Sequence, residues 1–286
     1  MKSYLIHPAT FKLDGGAMFG IIPKPLWSRK VESDEDNRIP MALRVVLIQT
    51  ENKNILIDTG IGTYHPEKFQ GQFAIKGEDN HVISCLKMHG LDPDDITDII
   101  ITHLHFDHVG GLGNKDKPLF KKATLHLQKD HFEYGKSPTQ RDKGSFHSHY
   151  FLPLIEFYQK NNQVHFLTEL SGEILKDGED IIRYETSFGH TPYMIHPIFD
   201  GHIYMADLVP MSHHISIPWV MGYDINPGET TIQKERFYKI IMQDNLKMIF
   251  EHDIDIWGGH LGIDNKNRYT LSEEFKSIKS PVESIS

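Results

Sequence analysis

The segment Thr102–His108 constrains what this chain can fold into more than any other part of the sequence. It carries three imidazoles and one carboxylate within six residues, directly after the apolar run Ile99–Ile101. These side chains belong to His103, His105, Asp107 and His108. Imidazole nitrogens and carboxylate oxygens at this density are typical ligands of a borderline-soft divalent cation such as zinc. The segment therefore predicts a metal site at the end of a buried strand.

The spacing inside the segment divides the four side chains into two pairs. His103 and His105 are two residues apart, so both point to the same side of an extended backbone. Asp107 and His108 follow on a turn, after which Gly110-Gly111 lets the backbone bend away. The second pair cannot easily join the first pair on one ion and is better placed to face another. We therefore expect two metal ions.

Further ligands have to come from the ends of other apolar runs, where the rim of a sheet would bring them together. The candidates are His190, Asp207 and His252. A carboxylate such as Asp207 can bridge two cations. We predict one metal held by His103, His105, His190 and Asp207. We predict a second metal held by Asp107, His108, His252 and Asp207. Two zinc ions, or other divalent metals, about 3.5–4 Å apart would acidify a shared water.

Two further polar residues are expected beside these ligands. His260, in Gly258-Gly259-His260, competes with His252 for the last ligand place. We prefer His252 because it directly ends an apolar run, which leaves His260 outside the ligand set. Asp58 also ends an apolar run and is expected to orient a ligand histidine from behind. The alternative for Asp58 is a carboxylate that stabilises its loop by accepting hydrogen bonds from nearby amides.

The composition of the chain restricts the classes of molecule that it can bind and the cellular compartment in which it is expected. The single cysteine, Cys85, excludes an internal disulfide and cysteine-rich zinc modules. The formal net charge of -9 and the scattered basic residues argue against nucleic acid and favour a neutral or weakly polar small molecule as the substrate. The sequence has no apolar run of transmembrane length, so no membrane partner is expected. Residues Met1–Gly16 lack the apolar core of a secretory signal, which predicts a cytoplasmic protein.

Short apolar runs predict buried strands along most of the chain. They are Arg44–Gln49, Ile55–Ile57, Ile99–Ile101, Thr124–Leu127, Ile181–Tyr184, His202–Met205 and Met248–Phe250. One helix is predicted after Asn80 as its N-cap, with Ile83 and Leu86 directed inward. A second helix is predicted over about Glu229–Asn245. Its apolar face would carry Ile232, Phe237, Ile240 and Ile241. Strands mixed with helices predict an α/β fold with helices on the outer faces of the sheets.

Two polar segments, Pro23–Pro40 and Ser137–Tyr150, are predicted to be long loops. Either loop could lie over a site. Neither has the features of a domain boundary. We therefore expect residues 1–286 to form a single domain.

The chain resembles the metallo-β-lactamase superfamily in one motif and in four outlying positions. These are His103-x-His105-x-Asp107-His108, Asp58, His190, Asp207 and a late histidine. The resemblance spans the chain from about Leu43 to His260. It implies an αββα sandwich of the metallo-β-lactamase type, with the metals at one edge of the paired sheets.

Within that superfamily, the chain is most similar to the N-acyl homoserine lactone lactonases and to the related methyl parathion hydrolase branch. The segments that carry this similarity are Phe11–Gly20, Met205–Pro210 with the following His214, Pro218–Met221 and Glu251-His252-Asp253. Pro210 stands where many lactonases carry a tyrosine that assists the substrate carbonyl. We therefore expect His214 to be the substitute donor.

The resemblance implies a hydrolase that opens a lactone ring through a hydroxide bridging two metals. Asp107 would later pass a proton to the leaving oxygen. An apolar wall for an acyl chain is expected from Met18, Phe19, Phe106 and Trp219. The alternatives are a phosphotriesterase or arylesterase of the methyl parathion hydrolase type and an iron-dependent oxidoreductase of the same superfamily. Related lactonases also suggest a homodimer.

Overall fold

The computed structural model describes residues 1–77, 81–114, 117–277 and 280–286. Its strands, in chain order, are β1 (Lys2–Asp14), β2 (Arg38–Gln49), β3 (Asn54–Ile57), β4 (Lys76–Gly77), β5 (Asp98–Ile100), β6 (Gly113–Asn114), β7 (Lys117–Pro118), β8 (Thr124–Gln128), β9 (Val164–Leu167), β10 (Ser171–Asp177), β11 (Asp180–Ser187), β12 (Met194–Phe199), β13 (His202–Tyr204), β14 (Lys247–Ile249), β15 (Ile256–Ile263), β16 (Tyr269–Lys276) and β17 (Val282–Ser284). Its α-helices are α1 (Gly15–Phe19), α2 (Lys24–Trp27), α3 (Glu67–Gln72), α4 (His81–Met88), α5 (Phe106–Val109), α6 (Lys129–Lys136), α7 (Ser148–Lys160) and α8 (Pro227–Gln243). Short 3₁₀ helices span Pro93–Asp95, Gly110–Leu112, Ala206–Leu208 and Ser212–His214.

Most of the strands form two large sheets. The first sheet has the order β17-β1-β2-β3-β5-β8-β9, with β4 paired to β1. The second sheet has the order β10-β11-β12-β13-β14-β15-β16. In the first sheet β3, β5, β8 and β9 are parallel. In the second sheet β13 and β14 are parallel. The carboxyl ends of parallel strands meet at one edge of a sheet, which is where polar loop residues can converge.

The buried apolar side chains arrange these sheets as a sandwich with helices outside. Alternate residues of β2 enter different layers, as expected for a strand buried on both faces. Val46 belongs to the cluster that also contains Met248 of the second sheet and Phe237 of α8. Val45 belongs to the cluster on the other face, together with side chains of α4 and α7 such as Phe151. The predicted αββα sandwich is therefore confirmed.

The predicted strands and the long C-terminal helix correspond to observed elements. Each predicted strand overlaps an observed one, and the predicted helix Glu229–Asn245 is α8, shifted by two residues at each end. The inward face of that helix was predicted wrongly at Ile232, which is 59% exposed, whereas Phe237 and Ile241 are buried. The predicted cap Asn80 lies outside the described residues.

The two segments predicted to be loops are only partly irregular. Pro23–Pro40 contains α2 and the first residues of β2. Its lone tryptophan, Trp27, is buried and stacks on Phe19 with ring centroids 5.4 Å apart. Ser137–Tyr150 lacks an α-helix or strand only as far as His147, because α7 begins at Ser148. Across the described part of the chain, no helix has the length and apolar character needed to cross a membrane.

Candidate metal centre

The predicted ligands converge because they follow strands that end at one rim of the sandwich. The motif follows β5, whereas Asp207 follows β13 and His252 follows β14. His190 lies in the loop between β11 and β12. All of these side chains are buried. The rim therefore collects ligand atoms that are far apart in the sequence.

Local backbone features fix two of the connections at this rim. Ala206 has a φ of 40°, in the left-handed region that an alanine rarely adopts, directly before Asp207. Gly110 has helical backbone angles that any residue can adopt, so its conformation does not require glycine. A Cβ at Gly110 would instead lie 2.1 Å from the carbonyl oxygen of Ile61. Glycine is needed there because the loop after β3 packs directly against the end of the motif.

The first group of ligand atoms surrounds one oxygen of Asp207. His190 Nε2 lies 3.1 Å and His103 Nε2 lies 3.9 Å from Asp207 Oδ2. His105 Nδ1 lies 3.1 Å from His190 Nε2. These four residues offer ligand atoms that all lie within 4.8 Å of one another. The group matches the set predicted for the first metal.

A second group of ligand atoms contacts the same carboxylate. His252 Nε2 lies 3.2 Å from Asp207 Oδ1, and His108 Nε2 lies 3.7 Å from Asp207 Oδ2. Asp107 faces the same space, with its oxygens 3.7 Å from His252 Nε2 and 4.0 Å from His108 Nε2. Asp207 thus contacts both groups, as a bridging carboxylate would. In the second group the ligand atoms within 4.8 Å of one another belong to His108, Asp207, His252 and Glu251, and Asp107 is outside that set.

The hydrogen bonding of these atoms fits a cation. The Nε2 atoms of His103 and His108 and the Oδ1 atom of Asp207 are buried without a hydrogen-bond partner among the described residues. Buried polar atoms are normally paired, so several orphaned acceptors directed at a common space require an explanation. Nitrogen and carboxylate donors with no thiolate suit zinc and other divalent metals. The residues present therefore fit a metal centre.

Two of the ligand imidazoles contact a carboxylate through Nδ1, the ring nitrogen that faces away from the metal centre. His108 Nδ1 lies 2.9 Å from Asp58 Oδ2, and Asp58 also accepts hydrogen bonds from the amide and hydroxyl of Thr102. His190 Nδ1 lies 3.0 Å from Asp224 Oδ1. Such contacts fix the tautomer and orientation of a ligand histidine. The geometry agrees with the orienting role expected for Asp58, whereas Asp224 had no signal in the sequence.

Glu251 is a second residue that sequence reasoning missed. Its carboxylate is fully buried, and Oε2 lies 3.0 Å from His108 Nδ1. Glu251 also shares a group of possible ligand atoms with His108, Asp207 and His252. Because Glu251 faces Nδ1 and Asp107 faces Nε2 of the same ring, the two carboxylates approach His108 from opposite sides. The segment Glu251-His252-Asp253, compared with the Gly-His-Asp of lactonases, contained the available signal.

The electrostatics of the metal-free protein show which atoms attract positive charge. Burial lowers the pKa of His190 and His252, but neighbouring carboxylates outweigh it and raise the pKa of both to about 9. Burial and adjacent imidazoles hold the pKa of His103 and His105 well below the usual range. Burial raises the pKa of Asp107. Burial also lowers the pKa of His108, but the carboxylates of Glu251, Asp107 and Asp207 outweigh it and raise that pKa well above its usual range. Protons therefore compete with a cation mainly at His108, His190 and His252.

A cavity of about 450 Å³ opens onto this centre. Its floor contains Asp107, Asp207 and several of the imidazoles. Its apolar walls come from Leu13, Met18, Phe69, Phe73, Phe106 and Met221. Arg141 and Tyr223 also line it. The predicted wall residues Met18 and Phe106 are therefore in place beside the metal centre.

Two other predicted wall residues do not line this cavity. Phe19 is buried between Trp27, His214 and Trp219, with ring centroids 5.0 to 5.6 Å away. Trp219 packs edge-on against it. These rings pack the segment after β1, which carries Phe19 and Trp27, against the segment after β13, which carries His214 and Trp219. The substrate contact predicted at Phe19 and Trp219 is therefore not formed in this cavity.

His214 and His260 are also placed differently from expectation. The His214 ring is fully buried with Nε2 2.8 Å from the carbonyl oxygen of Met18, and it stacks on Phe19. It is therefore outside the cavity. His260 lies within β15, where Nε2 is 3.9 Å from Glu273. Of the two competing late histidines, only His252 reaches the centre.

Comparisons with known proteins agree with this geometry. A family model described as the metallo-beta-lactamase superfamily matches residues 42–252. An N-acyl homoserine lactonase of Bacillus cereus is 24% identical over 232 residues, which are 77% of this chain and 84% of that protein. An N-acyl homoserine lactonase of Bacillus thuringiensis is 34% identical over 96 residues. That match covers 30% of this chain and only 36% of the length of the relative.

Solved structures share the fold along nearly the whole chain. A probable metal-dependent hydrolase from Staphylococcus aureus superposes with a TM-score of 0.81 at 29% identity, covering 95% of this chain and 96% of that one. AidC, a dizinc quorum-quenching lactonase in complex with a product, superposes with a TM-score of 0.72 at 18% identity, covering 97% and 94%. With the family model spanning most of the chain and its motif residues gathered at one rim, the protein belongs to the metallo-beta-lactamase superfamily.

Proposed function

We propose that the protein is a metal-dependent hydrolase that opens the ring of an N-acyl homoserine lactone or a similar lactone. The observation that carries this proposal is the position of Asp207 between two groups of imidazoles at the floor of a cavity with apolar walls. A charged floor and an apolar wall suit a substrate with one polar reacting group and an apolar tail. The lactonase relatives favour a lactone as that group.

Two zinc ions are the proposed cofactors. The first would be held by His103, His105, His190 and Asp207. The second would be held by Asp107, His108, His252 and Asp207. When bound, such a pair supplies an activated water and polarises the bond to be cleaved.

Asp107 is the proposed general acid. It lines the cavity beside His108 and His252, so its carboxylate can take up the proton released when the attacking water is deprotonated and carry that proton to the leaving oxygen. Ring opening breaks the bond between the carbonyl carbon and the ring oxygen. The Asp107 proton passes to that ring oxygen, which leaves as the hydroxyl of the product.

The apolar wall positions the acyl chain. Met18 comes from α1, Phe69 and Phe73 come from the region of α3, and Phe106 begins α5. Phe106 stacks on His147 with ring centroids 5.2 Å apart and contacts Phe69 edge-on. Burial of an acyl chain of several carbons against these rings would contribute about 0.8 kcal/mol per methylene.

We also propose that residues 1–286 form one domain, and that the protein is a cytoplasmic homodimer. The continuous core between the two sheets supports the single domain. Sedimentation equilibrium tests the dimer, and a mass of one chain would refute it.

The decisive experiment for the function combines metal analysis with a substrate panel. We expect about two metal ions per chain. We also expect the protein to open the ring of N-hexanoyl homoserine lactone, which is measured by the release of a proton. Phenyl acetate and an aryl phosphotriester complete the panel. Faster turnover of the phosphotriester than of any lactone would refute the proposal and favour the phosphotriesterase alternative. Iron as the bound metal, with visible absorption and no hydrolysis, would favour an oxidoreductase.

A further inference from the structure

We propose that Tyr223 is a catalytic residue whose hydroxyl donates a hydrogen bond to the oxygen of the reacting carbonyl. This inference rests on the proposed function and assigns the donor that Pro210 cannot provide. The geometry excludes His214 from that role, because its ring is buried outside the cavity with Nε2 directed at the Met18 carbonyl.

Tyr223 is placed among the groups that would contact substrate. It lines the cavity together with Asp107, Asp207, His190 and His252, and it is half-buried there. No described residue forms a hydrogen bond with its hydroxyl, so that donor is available to a ligand. Burial and the negative charges of Asp14 and Asp107 raise the pKa of Tyr223 to about 12. The phenol therefore keeps its proton at neutral pH and lies close enough to Asp107 to sense its charge.

Other donors along the cavity are less suited to this role. The imidazoles and carboxylates of the floor are already assigned to the metal centre. Arg141 donates hydrogen bonds from Nη2 to the carbonyl oxygens of Gly222 and Asp224, at 2.6 Å and 2.9 Å. Gln72 is exposed near the end of α3, and the hydroxyl of Ser145 is on a short side chain. Tyr223 is thus the neutral, long side chain that combines a free donor with proximity to Asp107.

The turn that carries Tyr223 is held on both sides. Arg141 contacts the carbonyl groups of the residues directly before and after it. The Gly222 amide donates to the Ala17 carbonyl of α1 at 2.7 Å. Asp224 lies 3.0 Å from His190 Nδ1 and accepts a hydrogen bond from the Met221 amide. A donor fixed by the same turn that orients a predicted metal ligand is preorganised for the charge that develops on a carbonyl oxygen during attack.

The chemistry asked of Tyr223 is a hydrogen bond without proton transfer. As the nucleophile adds to the carbonyl carbon, the carbon–oxygen double bond becomes a single bond and negative charge collects on that oxygen. The phenol O–H stabilises this charge and stays protonated. The proton needed by the ring oxygen comes from Asp107, so the two residues act on different oxygens.

The test compares the metal-loaded wild-type protein with Tyr223→Phe and Tyr4→Phe. Tyr4 is a matched control, since it is also half-buried and its hydroxyl forms no hydrogen bond in the described residues. With N-hexanoyl homoserine lactone and phenyl acetate, we expect Tyr223→Phe to lower kcat at least about tenfold with little change in KM. Tyr4→Phe should stay within about twofold of wild type. The affinity for the product N-hexanoyl-homoserine, measured by calorimetry, should fall only in Tyr223→Phe, with metal content and Tm unchanged.

The outcomes separate this inference from the proposed function. A wild-type protein that opens the lactone, with Tyr223→Phe equal to Tyr4→Phe in rate and product affinity, would overturn the role of Tyr223 alone. A wild-type protein that hydrolyses phenyl acetate but no lactone would overturn the proposed substrate, and a selective loss in Tyr223→Phe would still support its role. A wild-type protein that hydrolyses no carbonyl compound and binds no product would overturn both.

Discussion

The carboxylate of Glu251 lies 3.0 Å from Nδ1 of His108, and the carboxylate of Asp58 lies 2.9 Å from the same nitrogen. A neutral imidazole has one N–H at most to share between them. Asp58 is further satisfied by Thr102, whereas both oxygens of Glu251 are buried without a hydrogen-bond partner among the described residues. Glu251 therefore acts on His108 mainly through its charge, which develops as pH rises through the pKa of about 7 to which burial raises this carboxyl.

We predict that Glu251→Gln weakens metal binding without unfolding the protein. Loss of the nearby negative charge makes His108 less basic. Mutation of a residue that contacts a ligand histidine typically lowers metal affinity by about 10- to 100-fold. Competition with a chelator would measure the loss. Glu235→Gln, at an exposed position of α8, should bind metal like wild type. Equal metal retention in both variants would contradict this role for Glu251.

Asp107→Asn tests the proposed proton transfer. The amide can fill the same space but cannot donate an acidic proton, so we expect kcat to fall about 10²- to 10⁴-fold. Thermal denaturation should show that the fold survives. The exposed Asp130→Asn serves as a control for the loss of one charge. Turnover of Asp107→Asn at the wild-type rate would refute the role.

The motif and the sheet rim were predictable because they depend on local rules. His103 to His108 lie next to each other in the sequence, and the strands that precede Asp207 and His252 are short apolar runs. A sheet brings the ends of its parallel strands to one edge whatever the details of packing. Local rules were therefore sufficient for the group of side chains at the rim, whereas the αββα sandwich was implied by the resemblance to the superfamily.

The carboxylates that contact the ligand histidines and the residues around the cavity were not predictable, because their positions depend on contacts between segments that are distant in the sequence. Glu251 approaches His108, and Asp224 approaches His190, only after both sheets have packed. Phe19 looks like a substrate contact in the sequence, but Trp27 covers it in the fold. Strand β1 was also missed, because His7 and Pro8 break the alternation at the bulge between Ile6 and Ala9.

The pH dependence of metal-free stability follows from His108, His190 and His252. Burial lowers the pKa of all three, but neighbouring carboxylates outweigh it. Asp207 and Asp224 raise the pKa of His190 to about 9, and Glu251 and Asp207 raise that of His252 to about 9, above the unfolded value of 6.5. The pKa of His108 is also raised well above 6.5. Between these values the folded state binds more protons than the unfolded state, so stability falls as pH rises. The stabilisation is complete below pH 6.5 and is lost as pH rises through 9. Metal affinity should increase over the same interval, because fewer protons compete for the ligands.

Thermal denaturation of chelator-treated protein at pH 6, 7.5 and 9 would check this dependence. We expect the Tm to fall across the series, with a shallower fall in His252→Gln. Metal-loaded protein should show a smaller change, because bound cations replace these protons. A Tm that rises from pH 6 to pH 9 in the metal-free protein would show that other groups dominate.

Lys234 should stabilise the loop that leads to the Tyr223 turn. Its ammonium group is fully buried and donates hydrogen bonds to the carbonyl oxygens of Ser216, Ile217 and Trp219, at 2.8, 3.3 and 3.1 Å. Lys234→Met keeps the length of the side chain but leaves these acceptors without a donor. We expect a loss of about 3 kcal/mol in the free energy of unfolding, since each unsatisfied buried group costs about 1–3 kcal/mol.

Urea denaturation measures this loss, with Lys239→Met at an exposed position of the same helix as the control. Because residues 216–219 lead directly to Met221 and Tyr223, Lys234→Met should also lower the affinity for N-hexanoyl-homoserine. Metal content should be affected less, since none of the predicted ligands lies in that loop. An unfolding free energy equal to that of Lys239→Met would mean that relief from burying a charge offsets the lost hydrogen bonds.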